Sequence, residues 1–173
     1  MVYAADLKSA TGRCAGSTPA RGTKILLSMP EQLFQIRVKA LARNEDGNIL
    51  MLQIPQMEDR KSHWDLPGGR MDESEDLLDT LKRELIKEIG LSYVGKPVQL
   101  AALKTNITIP VGNIRVPLLF VVYEIALGSG QVVLDPESNE TACQWFSPQE
   151  AANEMQYKLP AEFCELVRQR YVK

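Results

Sequence analysis

The sequence predicts a single α+β domain in which strands and helices intermix along the chain. Apolar runs typical of strands lie on both sides of a segment with helical periodicity, and two further helical segments follow near the C-terminus. The length of 173 residues corresponds to one domain of about 150 residues, with some chain to spare. Hydrophobic residues make up 45% and charged residues 24% of the chain, which is typical of a globular protein and excludes a disordered acidic chain.

Charge and cysteine content narrow the classes of partner. Lys and Arg number 20 against 22 for Asp and Glu, for a net charge of -2, so a broad basic face for nucleic acid is not favoured. A small phosphorylated ligand stays open as a partner, because it needs only a local group of binding residues and not a broad basic face. Three cysteines and one histidine argue against a disulfide framework or a structural zinc site and favour a reducing compartment.

No membrane partner is expected. The most apolar stretch, residues 116–127, contains Pro117 and Glu124 and is shorter than the roughly 18 apolar residues typical of a membrane helix. The first residues lack the apolar segment of a secretory signal. We therefore expect a cytoplasmic protein.

Residues 1–28 differ in composition and patterning from the rest of the chain. They are mostly small and polar and show neither strand nor helix periodicity. We interpret them as a disordered tail outside the fold. A second interpretation is a mis-assigned start: residues 16–19, Gly-Ser-Thr-Pro, back-translate to GGTTCGACTCC, which resembles the T-loop of a transfer RNA gene. Met29 would then be the natural start, and the nucleotide sequence of the gene decides between the two.

The first strands are predicted around a turn. Alternation begins at Phe34, a polar Asp-Gly turn occupies residues 44–48, and an apolar run covers residues 49–54. This pattern predicts a hairpin. A polar loop over residues 55–63 then leads to a pair of glycines.

The central helix is predicted over residues 74–89, with Ser74 as its N-cap, acidic residues in its first turn and Gly90 just past its end. Beyond it, strands are predicted at residues 98–105, 114–125, 131–134 and 143–146. A capping box with proline at the first helical position opens a helix at Ser147, and a last helix covers residues 161–171.

The central helix carries two acids where apolar residues are expected. A helical residue advances about 100°, so Glu88 lies about 20° from Leu81 inside the apolar stripe and Glu84 about 60° away at its edge, whereas Arg83 points about 160° away. An ionised carboxylate removed from water costs several kcal/mol unless it is compensated. A hard divalent cation, Mg²⁺ or Mn²⁺, would compensate both acids. The alternative is that Glu88 reaches solvent at the helix end or pairs with a distant Lys or Arg.

The segment from residue 69 to residue 91, GRMDESEDLLDTLKRELIKEIGL, resembles the Nudix box, G-x5-E-x7-R-E-U-x-E-E-x-G-U with U an aliphatic residue. The matching positions are Gly69, Glu75, Arg83, Glu84, Leu85, Glu88, Gly90 and Leu91. Lys87 departs from the pattern, because it stands where the first Glu of the E-E pair is expected. The preceding Trp-Asp-Leu-Pro-Gly run is similar to the lead-in of the same family, and the resemblance assigns residues 29–173 to the domain.

The resemblance implies a Nudix-type α/β/α sandwich, with a mixed sheet between helices, and a metal-dependent site. Glu84 and Glu88 would be the principal metal ligands, with the carbonyl of Gly69 as a further one. Glu75 and Arg83 would form a supporting ion pair that orients the helix. Lys87 would repel a second or third cation, so the resemblance implies fewer metals than in proteins with the full motif.

The resemblance also implies a general base, which in many members is a Glu in a loop outside the box. The acidic loop at residues 135–140 matches that region, and we predict Glu140, with Glu137 as second choice. In other members the base comes from the helix itself, which would be Glu88. Gly68, Gly69, Arg70 and Lys87 are the positions predicted to contact substrate.

The implied activity is a pyrophosphohydrolase that cleaves a nucleoside diphosphate linked to another moiety, by attack of water on phosphorus. Nucleoside triphosphates and nucleotide sugars both stay open as substrates, and a homodimer stays open as the assembly. The alternative is a catalytically weak or inactive Nudix-fold module that senses nucleotides or binds proteins. An RNA-binding or decapping member is disfavoured by the net charge of -2.

Overall fold

The protein's structure, a computed structural model, describes residues 33–57 and 60–172. The predicted tail at residues 1–28 and the candidate start Met29 lie outside the described residues, so the division of the chain there stays a prediction. The elements are β1 Gln35–Ala42, β2 Ile49–Ile54, β3 His63–Asp65, α1 Leu77–Ile89, β4 Tyr93–Val111, β5 Ile114–Leu127, β6 Ala142–Phe146, α2 Pro148–Met155 and α3 Ala161–Tyr171. Among these described residues, none of the helices is long and apolar enough to cross a membrane.

The strands form two three-stranded sheets. One has the order β1-β5-β4, with β1 parallel and β4 antiparallel to β5, and the other is antiparallel with the order β3-β2-β6. The parallel pair joins strands that are far apart in the sequence, with Gln35 opposite Leu118. The mixed sheet that the sequence predicts is therefore present.

Helices pack on both faces of the strands. Alternate side chains of a strand point to opposite faces, and here they enter two different apolar clusters. Val38 and Ala40 of β1 pack in one apolar cluster with Leu81 and Leu85 of α1, whereas Leu41 belongs to the cluster that contains residues of α2 and α3. Strands β2 and β5 contribute to both clusters in the same way. The predicted α+β sandwich, with strands between helices, is confirmed.

The predicted hairpin of the first two strands is wrong. The chain does turn at Gly47, whose φ is 83°, but β1 and β2 enter different sheets and share only a bridge between Arg43 and Ile49. Both strands are buried on both faces, so each lies at the centre of the fold and pairs with a distant partner. The free edge of β1 is taken by residues 67–71, with Val38 N–H donating to Gly69 O at 2.9 Å and Ala40 N–H to Pro67 O at 2.8 Å.

The central helix begins two residues later than predicted. Its N-cap is Asp76, whose Oδ1 accepts hydrogen bonds from the N–H groups of Leu78 and Asp79 at 2.8 and 2.9 Å. Ser74 is therefore not the cap, and Glu75 lies outside the helix, where its carboxylate binds Arg83. The end is as predicted, at Gly90 with φ 69°.

Three other elements differ from the prediction. Residues 131–134 form no strand; instead Val133 N–H donates to Ile89 O at 3.2 Å and Asp135 N–H to Glu88 O at 3.3 Å, so this segment covers the last carbonyls of α1. Residue His63, predicted in a loop, begins strand β3 and is buried. Strand β4 is longer than predicted. The capping box at Ser147 and the last helix are as predicted.

Candidate active site

A cavity of about 790 Å³ lies where α1, β1 and residues 67–71 meet. We call residues 67–71 the glycine loop, because they include Gly68 and Gly69. Most predicted site residues line it: Gly68, Gly69, Arg70, Arg83, Glu84, Lys87, Glu88 and Glu140. Glu75 does not line the cavity but contacts Arg83. Glu137 does not line it either; its N–H donates to Asp135 Oδ1 in the neighbouring turn.

Glu88 is buried, with 7% of its surface exposed, and it does not reach solvent at the helix end. The N–H of Gly68 donates to its Oε2 at 2.7 Å. Burial raises the pKa of Glu88 to about 7; the positive charge of Lys39 and the Gly68 N–H oppose this rise, and the charges of Glu140 and Glu84 add to it. The three acids are therefore close enough to interact electrostatically.

Glu84 is buried against the glycine loop. A Cβ atom added to Gly69 would lie 2.4 Å from Glu84 Cδ, a distance that no side chain tolerates, so only glycine permits this approach. One oxygen of Glu84 accepts a hydrogen bond from Arg83 Nη1, and Lys87 Nζ lies 3.7 Å from the other. Helical periodicity predicts Glu84 at the edge of the apolar stripe. The side chain is nevertheless buried, because the glycine loop packs over it.

Arg83 links the helix to the residues that precede it. Its Nη2 donates to Glu75 Oε2 at 2.7 Å and to the carbonyl of Arg70 at 3.0 Å, and the Thr80 hydroxyl donates to the same Glu75 oxygen at 2.9 Å. The hydrogen bond from Arg83 is the main cause that lowers the pKa of Glu75 to about 2. Glu75 and Arg83 thus form the ion pair that the resemblance implies, and it also holds the glycine loop.

The glycine loop lies tightly against β1. Gly68 has φ 116°, and a Cβ there would lie 2.2 Å from Val38 O. Its carbonyl accepts a hydrogen bond from Lys39 Nζ at 2.7 Å. The Gly69 carbonyl accepts one from Val38 N–H at 2.9 Å, which leaves one lone pair of that oxygen for a cation.

A charged cluster next to this loop is not predicted from the sequence. Lys39 Nζ donates to Leu66 O at 2.8 Å and lies 3.0 Å from Asp65 Oδ2. Lys158 Nζ lies 2.7 Å from the same oxygen. These two lysines lower the pKa of Asp65 against the opposing effect of its burial. Lys39 alternates with the apolar residues Val38 and Ala40, a pattern that is typical of a solvent-facing side chain and gives no sign of a buried cluster. The sequence feature that could have indicated the cluster is Asp65, an acid within the otherwise apolar run at residues 64–68.

The donor set fits a hard cation. Among residues 33–57 and 60–172, no group of three or more His, Cys, Asp or Glu side chains is arranged to hold a metal ion. Two buried carboxylates, Glu84 and Glu88, do face one cavity. Mg²⁺ commonly binds through one or two carboxylates, with water and substrate phosphates completing its shell. At Lys87, where the family motif has a further acid, the helix instead places an ammonium group 3.7 Å from Glu84 Oε2.

Comparisons with known proteins bear on this fold and site. A model of the NUDIX domain matches residues 33–167, more than half of the chain. A CTP pyrophosphohydrolase of Escherichia coli (strain K12) is 36% identical over 56 residues, which cover 32% of this chain and 42% of that protein. The matched part of this chain thus spans less than half the length of that relative.

Solved structures with a similar fold include two MutT proteins. One is from Methanosarcina mazei Go1, with a TM-score of 0.58, 24% identity and coverage of 83% of this chain and 99% of that chain. The other is from Bacillus halodurans, with a TM-score of 0.58, 20% identity and coverage of 81% and 84%. At these identities the two structures bear on the fold alone. The family model spans nearly all of residues 33–172, so the resemblance of the 69–91 segment extends to the whole domain, and the chain belongs to the NUDIX domain family, that of the Nudix hydrolases.

Proposed function

We propose that the protein is a metal-dependent pyrophosphohydrolase that cleaves a nucleoside diphosphate linked to another moiety, by attack of water on phosphorus. The observation that carries the proposal is the pair of buried carboxylates, Glu84 and Glu88, one helical turn apart and facing the cavity beside Gly69. The name of the E. coli relative, a CTP pyrophosphohydrolase, supports a nucleotide substrate.

Glu84 and Glu88 would hold Mg²⁺ or Mn²⁺, with the remaining lone pair of the Gly69 carbonyl as a further donor. When bound, such an ion neutralises phosphate charge and lowers the pKa of a water molecule. Arg83 keeps Glu84 in place through a direct hydrogen bond, and the Gly68 N–H does the same for Glu88 at 2.7 Å. The chain itself thus orients both carboxylates before a ligand arrives.

Glu140 is our choice of general base, which accepts the proton of the attacking water and contributes about 10²- to 10⁴-fold in rate. It lines the cavity and its charge acts on Glu88, whereas Glu137 does not line the cavity. The loop that carries Glu140 is tied to the end of α1 by the hydrogen bond from Asp135 N–H to Glu88 O. Glu88 remains the second option for the base.

Phosphate contacts are assigned to residues at the cavity mouth. Arg70 and Lys87 have side chains that are 63% and 58% exposed, so each is free to turn toward a phosphate. Gly68 donates its N–H to Glu88 and so offers a phosphate no hydrogen bond of its own. Gly69 contributes by close approach of its backbone. The odd number of cysteines, three in the chain, supports our proposal of a reducing, cytoplasmic setting.

Lys87 favours one alternative, a catalytically weak Nudix-fold module that senses nucleotides. Its ammonium group lies 3.7 Å from a Glu84 oxygen and competes with a cation for that carboxylate. Turnover separates the two functions, because a sensor binds its nucleotide without hydrolysing it.

The test is a panel of nucleoside triphosphates and nucleotide sugars incubated with Mg²⁺ or Mn²⁺, with products identified by chromatography. Hydrolysis of a phosphoanhydride bond is expected, with oxygen from ¹⁸O-labelled water in a phosphate product, and a chelator should abolish it. Binding of a panel member without turnover, with either metal, would favour the sensor.

Replacing Lys87 by glutamate should tighten Mn²⁺ binding. The substitution removes a cation beside Glu84 and adds the acid that the family motif carries at this position. We expect a lower dissociation constant and a larger number of bound ions, measured by titration with electron paramagnetic resonance of free Mn²⁺. Lys82→Glu, on the same helix but outside the cavity lining, is the matched control. Unchanged affinity and stoichiometry in Lys87→Glu would contradict this role.

A further inference from the structure

A second cavity, of about 620 Å³, lies directly beside the candidate active site. Gln35, Arg70 and Asp72 line both cavities. The other residues that line the second cavity come from the start of β1, from the segment after Gly69 and from the hairpin of β4 and β5: they are Leu33, Phe34, Ile36, Met71, Glu73, Val111 and Val116. Its volume lies within the roughly 300–1,000 Å³ range of ligand pockets.

The walls of this second cavity, which we call the apolar cavity, are mostly apolar. Successive side chains of a strand point to opposite faces, and β1 lines the active-site cavity with Gln35 and Arg37 but the apolar cavity alone with Ile36. Leu33 and Val111 keep 49% and 45% of their surface exposed. Apolar walls with a few polar groups among them are typical of pockets that bind small molecules.

Hydrogen bonds fix the backbone between the two cavities. Arg83 Nη2 donates to the carbonyl of Arg70 at 3.0 Å, and Met71 N–H donates to Ile36 O at 3.1 Å. The Arg70 side chain, in contrast, is 63% exposed, and its Nε lies 3.7 Å from Asp72 Oδ1. An exposed ion pair of this kind contributes little stability. The shared wall is therefore held in place, while these two side chains can turn aside for a ligand that extends from one cavity to the other.

The charges in the apolar cavity disfavour a further phosphate. Among the residues that the structure describes, Asp72 and Glu73 line it together with one cation, Arg70. A phosphoryl group there would be repelled by the two carboxylates. A sugar is disfavoured for another reason, because its hydroxyl groups would lose hydrogen bonds to water against apolar walls. An aliphatic group has neither cost and gains from burial.

We propose that the apolar cavity binds an aliphatic group esterified to the distal phosphate of the substrate. The inference rests on the proposed function and names its substrate class: a nucleoside diphosphate ester of an apolar alcohol, rather than a nucleoside triphosphate or a nucleotide sugar. Water attacks one phosphorus, and the phosphoanhydride bond breaks to give a nucleoside monophosphate and the monophosphate ester of the alcohol. The oxygen of the water stays on the phosphorus that it attacks, and its proton passes to the general base.

The experiment compares the hexyl and methyl monoesters of methylenediphosphonate by isothermal titration calorimetry with Mg²⁺. The two probes carry the same charge and resist hydrolysis, so the ratio of their dissociation constants reports the aliphatic chain alone. The wild-type protein is expected to bind the hexyl ester at least about tenfold more tightly, since each fully buried methylene contributes a factor of about 4. A ratio near one, or no binding of either ester, would overturn the proposal.

Val111→Asp and Ile114→Asp make a matched pair of variants. The two residues are paired in the β4–β5 hairpin and are 45% and 50% exposed, but Val111 lines the apolar cavity and Ile114 does not. Val111→Asp should reduce the ratio to below about threefold, whereas Ile114→Asp should keep it. Val111→Leu retains an apolar wall and should keep the ratio as well. An equal loss in Ile114→Asp would contradict the assignment.

Two further measurements keep the test decisive. Phe34→Gln should also lower the ratio, and it replaces Val111→Asp if circular dichroism shows that the latter is unfolded. Sedimentation equilibrium tests another occupant: a wild-type dimer that Val111→Asp dissociates, together with a ratio near one, would give the apolar cavity to a second copy of the chain and refute the proposal.

The nucleotide panel, extended by a cleavable hexyl ester of a nucleoside diphosphate, decides the hydrolytic proposal separately. Selective binding of the hexyl probe without turnover of any panel member would contradict hydrolysis and leave the assignment of the apolar cavity standing. Turnover of a panel member by a protein that binds the two probes equally would do the reverse.

Discussion

Replacing Glu88 by glutamine should stabilise the metal-free protein and abolish its hydrolytic activity. The folded-state pKa of Glu88 is raised to about 7, above the value of about 4.3 for an unfolded glutamate. The stability that accompanies the protonated acid is therefore fully present below about pH 4 and is lost as the pH rises through 7. Glutamine is neutral at every pH and still offers an oxygen to the Gly68 N–H.

The expected gain in the free energy of unfolding for Glu88→Gln is up to about 4 kcal/mol at pH 8 and close to zero at pH 4. Urea denaturation in the presence of a chelator measures it. Hydrolysis should fall by at least about 100-fold. Glu45→Gln, at an exposed turn, is the control and should change neither property. A Glu88→Gln variant that is less stable than wild type at pH 8 without metal would show that burial of this acid is not the governing effect.

Replacing Asp65 by asparagine should destabilise the fold by about 3–5 kcal/mol, because it leaves the buried Lys39 and the part-buried Lys158 without their counter-charge. Lys39 is held at 3.0 Å and Lys158 at 2.7 Å by this carboxylate, and Lys39 in turn binds the carbonyls of Leu66 and Gly68. The same change should loosen the glycine loop, so Mn²⁺ binding should weaken along with stability.

The effect of Asp65→Asn should depend on pH in a defined direction. The pKa of Asp65 is lowered in the folded protein, so its contribution is fully present above the unfolded value of about 3.9 and is lost as the pH falls through the folded value. The difference between wild type and Asp65→Asn should be largest near pH 7 and should narrow below pH 4. Asp46→Asn, in an exposed turn, should stay within about 0.5 kcal/mol of wild type. A difference that grows on acidification would contradict the role of the buried charge.

The part of the site carried by one helix could be predicted from the sequence. Helical periodicity places Glu88 beside Leu81, and both are buried on the same helix in the structure. Arg83 and Glu75 are eight residues apart, which the spaced motif records. The first relation is local, because helix geometry alone fixes which side chains of a helix share a face. The second depends on the turn before the helix, and the family motif supplies it.

The charged cluster could not be predicted, because its members come from three distant segments. Lys39 lies on β1, Asp65 on β3 and Lys158 between two helices. Only the tertiary fold brings them together, and strand alternation does not show that Lys39 reaches the carbonyl of Gly68 in the glycine loop. The hairpin error has the same origin. A turn signal at residues 44–48 predicts that the chain reverses, but it carries no information about which strands become hydrogen-bonded neighbours.

The parallel pairing of β1 with β5 has a consequence for how the protein is made. Strand β1 carries Arg37 and Lys39 and supports the glycine loop, yet its partner strand is Ile114–Leu127. Long-range pairing of this kind carries a large loop-closure cost and tends to be slow. On the ribosome, β1 cannot pair until β5 has emerged more than 70 residues later, so the cavity beside the glycine loop should close only after that point.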